Sequence, residues 1–199
     1  MNRDQVRAML QAECRELADF LDSLSSADWD EASLCEGWTV REVTAHLASV
    51  VGLSRRGLVG RAVRYGTGTD GANERSALAY ARKSPTDLVR SIGDPARLGL
   101  GFFYPRWALC ETVVHHQDIR RGLCRPRSIP AERVEVAIDV LLRMSFLTPR
   151  QGIPKRVALV ATDTGLRRGE GPELRGSAEA LLMSLAGRDS VLSEIAWPN

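Results

Sequence analysis

Apolar residues recur at helical spacing from the start of the chain. Val6, Met9, Leu10, Leu17, Phe20, Leu21 and Leu24 share one face between Arg3 and Leu24, which predicts an amphipathic helix. A loop rich in Asp, Ser and Gly follows from Asp28 to Trp38. The next helix has a clear start. Thr39 is a good N-cap and Glu42 stands three residues on, as a capping box requires. Trp38 before the cap and Val43 at the fourth helical position fit a hydrophobic staple. Leu47, Val50, Val51 and Leu53 continue the stripe. His46, three residues after Val43 and four before Val50, points with it.

Gly60 to Ala72 is glycine-rich and lacks apolar periodicity, so it predicts a crossover or lid loop. A helix is predicted from Asn73 to Lys83. Another starts at Ser84, its cap, with Pro85 at the first position and Asp87 as box partner. Gly93 to Gly101 reads as a second loop. Pro105 then opens a helix that runs through Asp118. A further helix follows Pro130, with Val134, Ala137, Ile138, Leu141, Leu142 and Phe146 on its buried side. These make four or five antiparallel helices with two long connections, a bundle. After Pro149 the pattern changes. Val157 to Thr162 is β-like, Asp163-Thr164-Gly165 is a turn, and Gly169 to Gly176 is glycine-rich. Ser177 caps a short helix, Ala178 to Ala186, that Gly187 ends. The expected fold is therefore an all-α antiparallel bundle over 1–150 with a small α/β C-terminal appendage over 151–199.

At 199 residues the chain can bury one good core. A net charge of +2 gives no basic patch for nucleic acid. Arg55, Arg56, Arg61 and Arg64 cluster, and read as a solvated helix end rather than an anion site. No apolar run approaches the roughly 20 residues of a membrane span. Cys14, Cys35, Cys110 and Cys124 form no C-x-x-C pair, and no signal peptide is visible, so free thiols in a reducing cytoplasm are expected.

The chain has three histidines. Two of the three fall in the helix after Pro105. With Trp107 at zero and about 100° per residue, Asp118 falls near roughly 20°, Glu111 near roughly 40° and His115 near roughly 80°. This polar triplet faces inward with the apolar side, where an unpartnered carboxylate is costly. A divalent cation is one compensation and an arginine another; an internal Glu–His hydrogen bond is the plainer reading. With His46 from a neighbouring helix, Glu111 and His115 would give three ligands and leave a fourth position for water or substrate, the mark of a catalytic zinc site. The N/O donor set suits zinc, with nickel or iron as alternatives. The spacing is not the H-E-x-x-H of zinc peptidases. Asp118 either holds a ligand histidine by a hydrogen bond or lies on the helix surface. His116 falls on the far side of the wheel, as a surface residue. Cys110 reads as a core thiol. Cys35 either packs its loop or approaches the site. Asp163-Thr164-Gly165 is half an aspartic-protease dyad, and better read as a turn.

Trp29 followed by Ser33-Leu34-Cys35-Glu36-Gly37-Trp38-Thr39-Val40-Arg41-Glu42-Val43-Thr44-Ala45-His46-Leu47 resembles the N-terminal signature of mycothiol-dependent maleylpyruvate isomerase-like proteins, members of the DinB-like metal-binding bundle superfamily. Trp107 to Asp118, with Glu-x-x-x-His-x-x-Asp, is similar to their second signature. Asp163-Thr164-Gly165, Gly169-Glu170-Gly171-Pro172, Arg175 to Leu182 and Gly187-Arg188 are similar to their short C-terminal region. The resemblance implies a four-helix bundle with zinc held by His46, Glu111 and His115, and mycothiol, the actinobacterial low-molecular-weight thiol, as cofactor. In such proteins the isomerase's C-terminal domain contributes an arginine, for which Arg175 and Arg188 are the candidates here.

Together these features predict a zinc- and mycothiol-dependent enzyme of thiol S-transferase or isomerase type. His46, Glu111 and His115 would act through the metal to ready a small thiol for attack on an electrophilic small molecule. The Gly60 to Ala72 loop would close over the site, and its arginines would hold an anionic substrate. The alternatives are a non-catalytic metal- or ligand-binding protein of the same fold and a metal-assisted hydrolase using bound water.

Overall fold

Two compact units, Met1–Arg127 and Ser128–Asn199, make up the chain. The structure is a computed structural model that describes residues 1–51, 69–94, 99–144 and 156–197. Arg55, Arg56, Arg61, Arg64, Leu53, Phe146 and most of the loop expected over 60–72 lie outside the described residues.

The first unit is helical: α1 (Arg3–Asp22), α2 (Val40–Val51), α3 (Thr69–Ala81), α4 (Pro85–Gly93), α5 (Gly99–Phe103) and α6 (Pro105–Gly122). The local signals act as expected. Asn2 caps α1 through a capping box with Gln5. Ser84 accepts from the Asp87 backbone N–H at the start of α4, with Pro85 in the first turn. The α3 helix begins at Thr69, earlier than the expected Asn73, and takes in Gly71. Its sequence, TDGANERSALAYA, has no apolar stripe to mark where it starts. Parts of the expected loop over 93–101 are helical as α5.

The α1 helix packs on α4 and α6, and α2 packs on α3, α4 and α6. Leu10, Leu17, Leu21, Leu47, Leu88, Ile92 and Leu109 are fully buried between them. Each such side chain contributes roughly 1.5–3 kcal/mol. The α6 helix is therefore covered on more than one side, and the four consecutive residues His116, Gln117, Asp118 and Ile119 are all buried.

That burial overturns the surface position expected for His116. Its Nδ1–H donates to Glu13 Oε1 on α1 at 2.8 Å, and its Nε2 accepts from Arg120 Nε at 3.1 Å. Arg120 can only donate, which fixes the tautomer. Arg127 completes the cluster by binding both Glu13 and Gln117. Burial works against a charged Glu13, but His116 and Arg127 outweigh it and hold its carboxyl at about 2. Burial pulls His116 down to about 4 despite the Glu13 carboxylate.

The second unit holds α7 (Ala131–Met144), β1 (Ala158–Ala161), β2 (Arg167–Arg168), β3 (Glu173–Gly176) and α8 (Ala178–Leu185). The sheet order is β2-β1-β3, with β1 antiparallel to β2 and parallel to β3. A Cβ on Gly169, at φ +82°, would sit 2.4 Å from the Val157 carbonyl oxygen, so only glycine fits this turn. Asp163 caps a helix: its Oδ1 accepts from the Ala178 N–H at the start of α8, together with Ser177, whose Oγ accepts from the Ala180 N–H.

The boundary read from the sequence at residue 150 lies outside the described residues. The α7 helix, expected in the bundle, packs against α8. Glu135 and Asp139, one turn apart on α7, hold Arg168 of β2 at 3.2 and 2.8 Å. An apolar stripe says that a helix is covered, not by what. The coarse architecture is a helical N-terminal unit followed by a unit with a small three-stranded sheet.

Candidate metal centre

The site is built by two helices and one loop of the first unit. The Thr39 N–H and Oγ1 both donate to Glu42 Oε2, at 2.8 and 2.9 Å, and the Glu42 N–H returns to Thr39 Oγ1. This capping box sets the start of α2 and hence the face on which His46 falls, beside Val43, Leu47 and Val50. The His46 side chain is 6% exposed. Its ring lies edge-on to Trp38 at 5.5 Å and to His115 at 5.0 Å.

Glu111 and His115 are one turn apart on α6, so their side chains reach the same place. Glu111 Oε2 lies 3.8 Å from both His46 Nε2 and His115 Nε2. The three ligand atoms all fall within 4.8 Å of one another. A separation of 3.8 Å is too long for a hydrogen bond. It is shorter than twice a Zn–N or Zn–O bond of about 2.0–2.2 Å, so one cation can touch both partners. The donor set therefore fits a divalent metal with three protein ligands and an open position. The Glu111 side chain, 28% exposed, marks the side on which the site opens.

Asp118 is fully buried and not on the surface. Its Oδ2 accepts the Nδ1–H of His115 at 2.8 Å. That turns His115 Nε2 toward Glu111 and His46 and fixes the ring plane. Burial disfavours a charged His115, but the Asp118 carboxylate and the Cys35 thiol overcome this and raise it to about 10.

The loop before α2 supplies the part that sequence reading left open. Cys35 approaches the site: its Sγ lies 3.0 Å from Asp118 Oδ2 and 3.7 Å from His115 Nδ1. The loop is held by Ser33 N–H to Trp38 O at 2.9 Å, Trp38 N–H to Cys35 O at 3.0 Å, and Leu34 N–H to Asp118 O at 2.9 Å. The last bond joins residues 84 apart in sequence and has no local signal. Cys110 is a core thiol, pushed up by burial and by Glu111. Cys14 is likewise buried and pushed up to about 12.

Arg175 and Arg188 belong to the C-terminal unit. Arg175 pairs with Glu173 at 2.5 Å, and Arg188 Nη1 donates to the Ala186 carbonyl at 2.7 Å. No helix among the described residues is long and apolar enough to cross a membrane.

Comparison with known proteins bears on the fold and on part of the first unit. The family model of the mycothiol maleylpyruvate isomerase N-terminal domain matches residues 10–70, a span that includes Cys35, Thr39 and His46. Two crystal structures share the fold: the mycothiol-dependent maleylpyruvate isomerase, with a TM-score of 0.67, and a histidine-to-alanine mutant of it, with a TM-score of 0.66. Each is 16% identical, and each match covers 100% of this chain and 97% of the other. No curated protein sequence matches the chain. Residues 10–70 thus match the family model of the mycothiol maleylpyruvate isomerase N-terminal domain, and the chain shares its fold with the mycothiol-dependent maleylpyruvate isomerase.

Proposed function

We propose that the chain is a zinc-dependent enzyme that uses a low-molecular-weight thiol, mycothiol, to act on an electrophilic small molecule by S-transfer or isomerisation. The observation that carries this reading is the convergence of His46, Glu111 and His115 from two helices onto one point, with ligand atoms within 4.8 Å. The family match over residues 10–70 supports the thiol.

A bound divalent cation at these residues would favour a coordinating thiol as its thiolate at neutral pH, where it is a good nucleophile. The residues of the chain do the rest. With a cation bound, His46 and His115 would each present a deprotonated ring nitrogen, His115 giving up the second proton that Asp118 and Cys35 favour on the metal-free ring. Glu111 supplies one negative charge, which lowers the net charge of a divalent centre to about +1. Asp118 keeps the Nδ1 proton of His115 and so keeps Nε2 turned to the site. Trp38 walls the His46 side with an apolar ring. The partly exposed Glu111 side leaves room for thiol and electrophile to enter together.

The helical unit in this reading is a DinB-like four-helix bundle, and Arg175 or Arg188 supplies a cationic contact to the thiol or to an anionic substrate. A cytoplasmic, actinobacterial setting follows from the choice of thiol. The same two imidazoles and one carboxylate would also accept nickel or iron.

The test is an assay of metal-loaded protein with mycothiol and a chlorobimane-like electrophile, followed by an assay with maleylpyruvate. Metal-dependent turnover with mycothiol, at either substrate, supports the proposal. Stoichiometric metal without turnover with any thiol would favour a binding protein, and turnover without added thiol a hydrolase.

A further inference from the structure

Building on the metal centre proposed above, we infer that Cys35 is a positioning residue for that centre: its thiol donates to Asp118 Oδ2, and so steadies the carboxylate that orients His115.

Three geometric facts carry this. First, Cys35 Sγ and His115 Nδ1 meet at the same carboxylate oxygen, at 3.0 and 2.8 Å. One oxygen accepting two donors from different segments has little freedom to rotate. Second, the thiol lies on the Nδ1 side of His115, at 3.7 Å, while Nε2 faces Glu111 and His46. A cysteine nucleophile paired with a His–Asp couple needs the thiol and the carboxylate on opposite ring nitrogens. Here both face the same one, so Cys35 is not built as a nucleophile. Third, the loop is locked to α6 where the thiol sits: the Leu34 N–H donates to the Asp118 carbonyl oxygen at 2.9 Å. The loop backbone also passes so close to Gly122 that a Cβ there would lie 2.5 Å from the Ala32 carbonyl oxygen. Asp118 is thus held through its backbone and its side chain by two adjacent residues of one loop.

Partners of this kind, one shell out from the metal, usually cost roughly 10–100-fold in metal affinity when removed. A thiol is a weak donor, so the lower end is expected.

The experiment measures zinc affinity by competition with a chromophoric chelator, together with thermal unfolding of the metal-free protein. Cys35→Ala should weaken zinc binding about tenfold, and Cys35→Ser, which keeps a donor, should restore most of that loss. A second arm avoids folding artefacts. In a Cys124→Ala background, brief carbamidomethylation of the folded protein should reach the half-buried Cys35 before the buried Cys14 and Cys110. The modified protein should then show the same loss of zinc affinity. Unchanged affinity in both the Ala variant and the alkylated protein would overturn the inference. So would equal losses for Ser and Ala, because the effect would then not follow the donor. If wild-type protein binds no zinc at all, the metal reading itself fails, a result distinct from either.

Discussion

Asp118 Oδ2 lies 2.8 Å from His115 Nδ1, three residues back along α6, with both groups shielded from solvent. This bond decides which ring nitrogen of His115 is free to bind. It also explains why an aspartate is tolerated in a buried position: its charge is matched by donors and not left bare. Asp118→Asn should therefore keep the fold but misplace the tautomer. Zinc affinity should fall about 10–100-fold, read by chelator competition. An Asn variant with wild-type affinity would show that His115 is oriented by packing alone.

The Glu13–His116–Arg127 cluster sits between α1 and α6 and takes no part in the proposed chemistry. Glu13→Ala should destabilise the protein by about 1–3 kcal/mol, because it leaves the buried His116 Nδ1–H without its acceptor and takes one of two carboxylates from Arg127, which keeps Glu16 and Gln117. Urea unfolding measures this. A loss below about 1 kcal/mol, the range of an exposed ion pair, would mean that the cluster is solvated.

The same cluster sets an acid limit on stability. The folded state holds Glu13 at about 2, below its ordinary 4.5, so its contribution is present above pH 4.5 and is lost as the pH falls toward 2. His116 is held at about 4 against an ordinary 6.5. Below pH 6.5 the unfolded chain takes that proton first, which also favours unfolding. Unfolding free energy should therefore decline as pH drops from 6.5 to 4 and continue to decline below 4.5. Chemical denaturation across about pH 3–8 tests the sign, and stability that rises on acidification through this window would contradict the assignment.

Gly122 closes α6 under the loop that carries Cys35. An added Cβ would meet Ala32 O at 2.5 Å and Ser33 Cα at 2.7 Å, both backbone atoms that cannot rotate aside. Gly122→Ala should cost about 1–3 kcal/mol by overpacking and weaken zinc binding as well, because the loop shifts away from Asp118. Thermal unfolding and chelator competition read the two effects. Loss of stability with unchanged zinc affinity would mean that the loop does not position the site.

Much of this was legible from residue order. The capping box at Thr39 and Glu42 is a local code, and it placed His46 on the buried stripe. The i,i+4 spacing of Glu111 and His115 is likewise set by helix geometry alone. What escaped was long-range. His116 looked exposed because a helical wheel assumes one covered side, whereas α1 covers the face it points to and supplies Glu13 from 103 residues away. Cys35 was an open choice because its contact with Asp118 spans 83 residues. The α7 helix was assigned to the bundle on the strength of an apolar face, which does not name the partner. Its polar pair, Glu135 and Asp139, holds Arg168 on β2.

The central claim is that His46, Glu111 and His115 share one cation. Elemental analysis of protein purified without chelator, beside the variant His46→Ala, tests it most directly. About one zinc per chain in the wild type, falling to a small fraction of that in His46→Ala with the helical fold retained, is the predicted result. A metal-free wild type that cannot be loaded with zinc, or a His46→Ala variant that keeps its full complement, would contradict it.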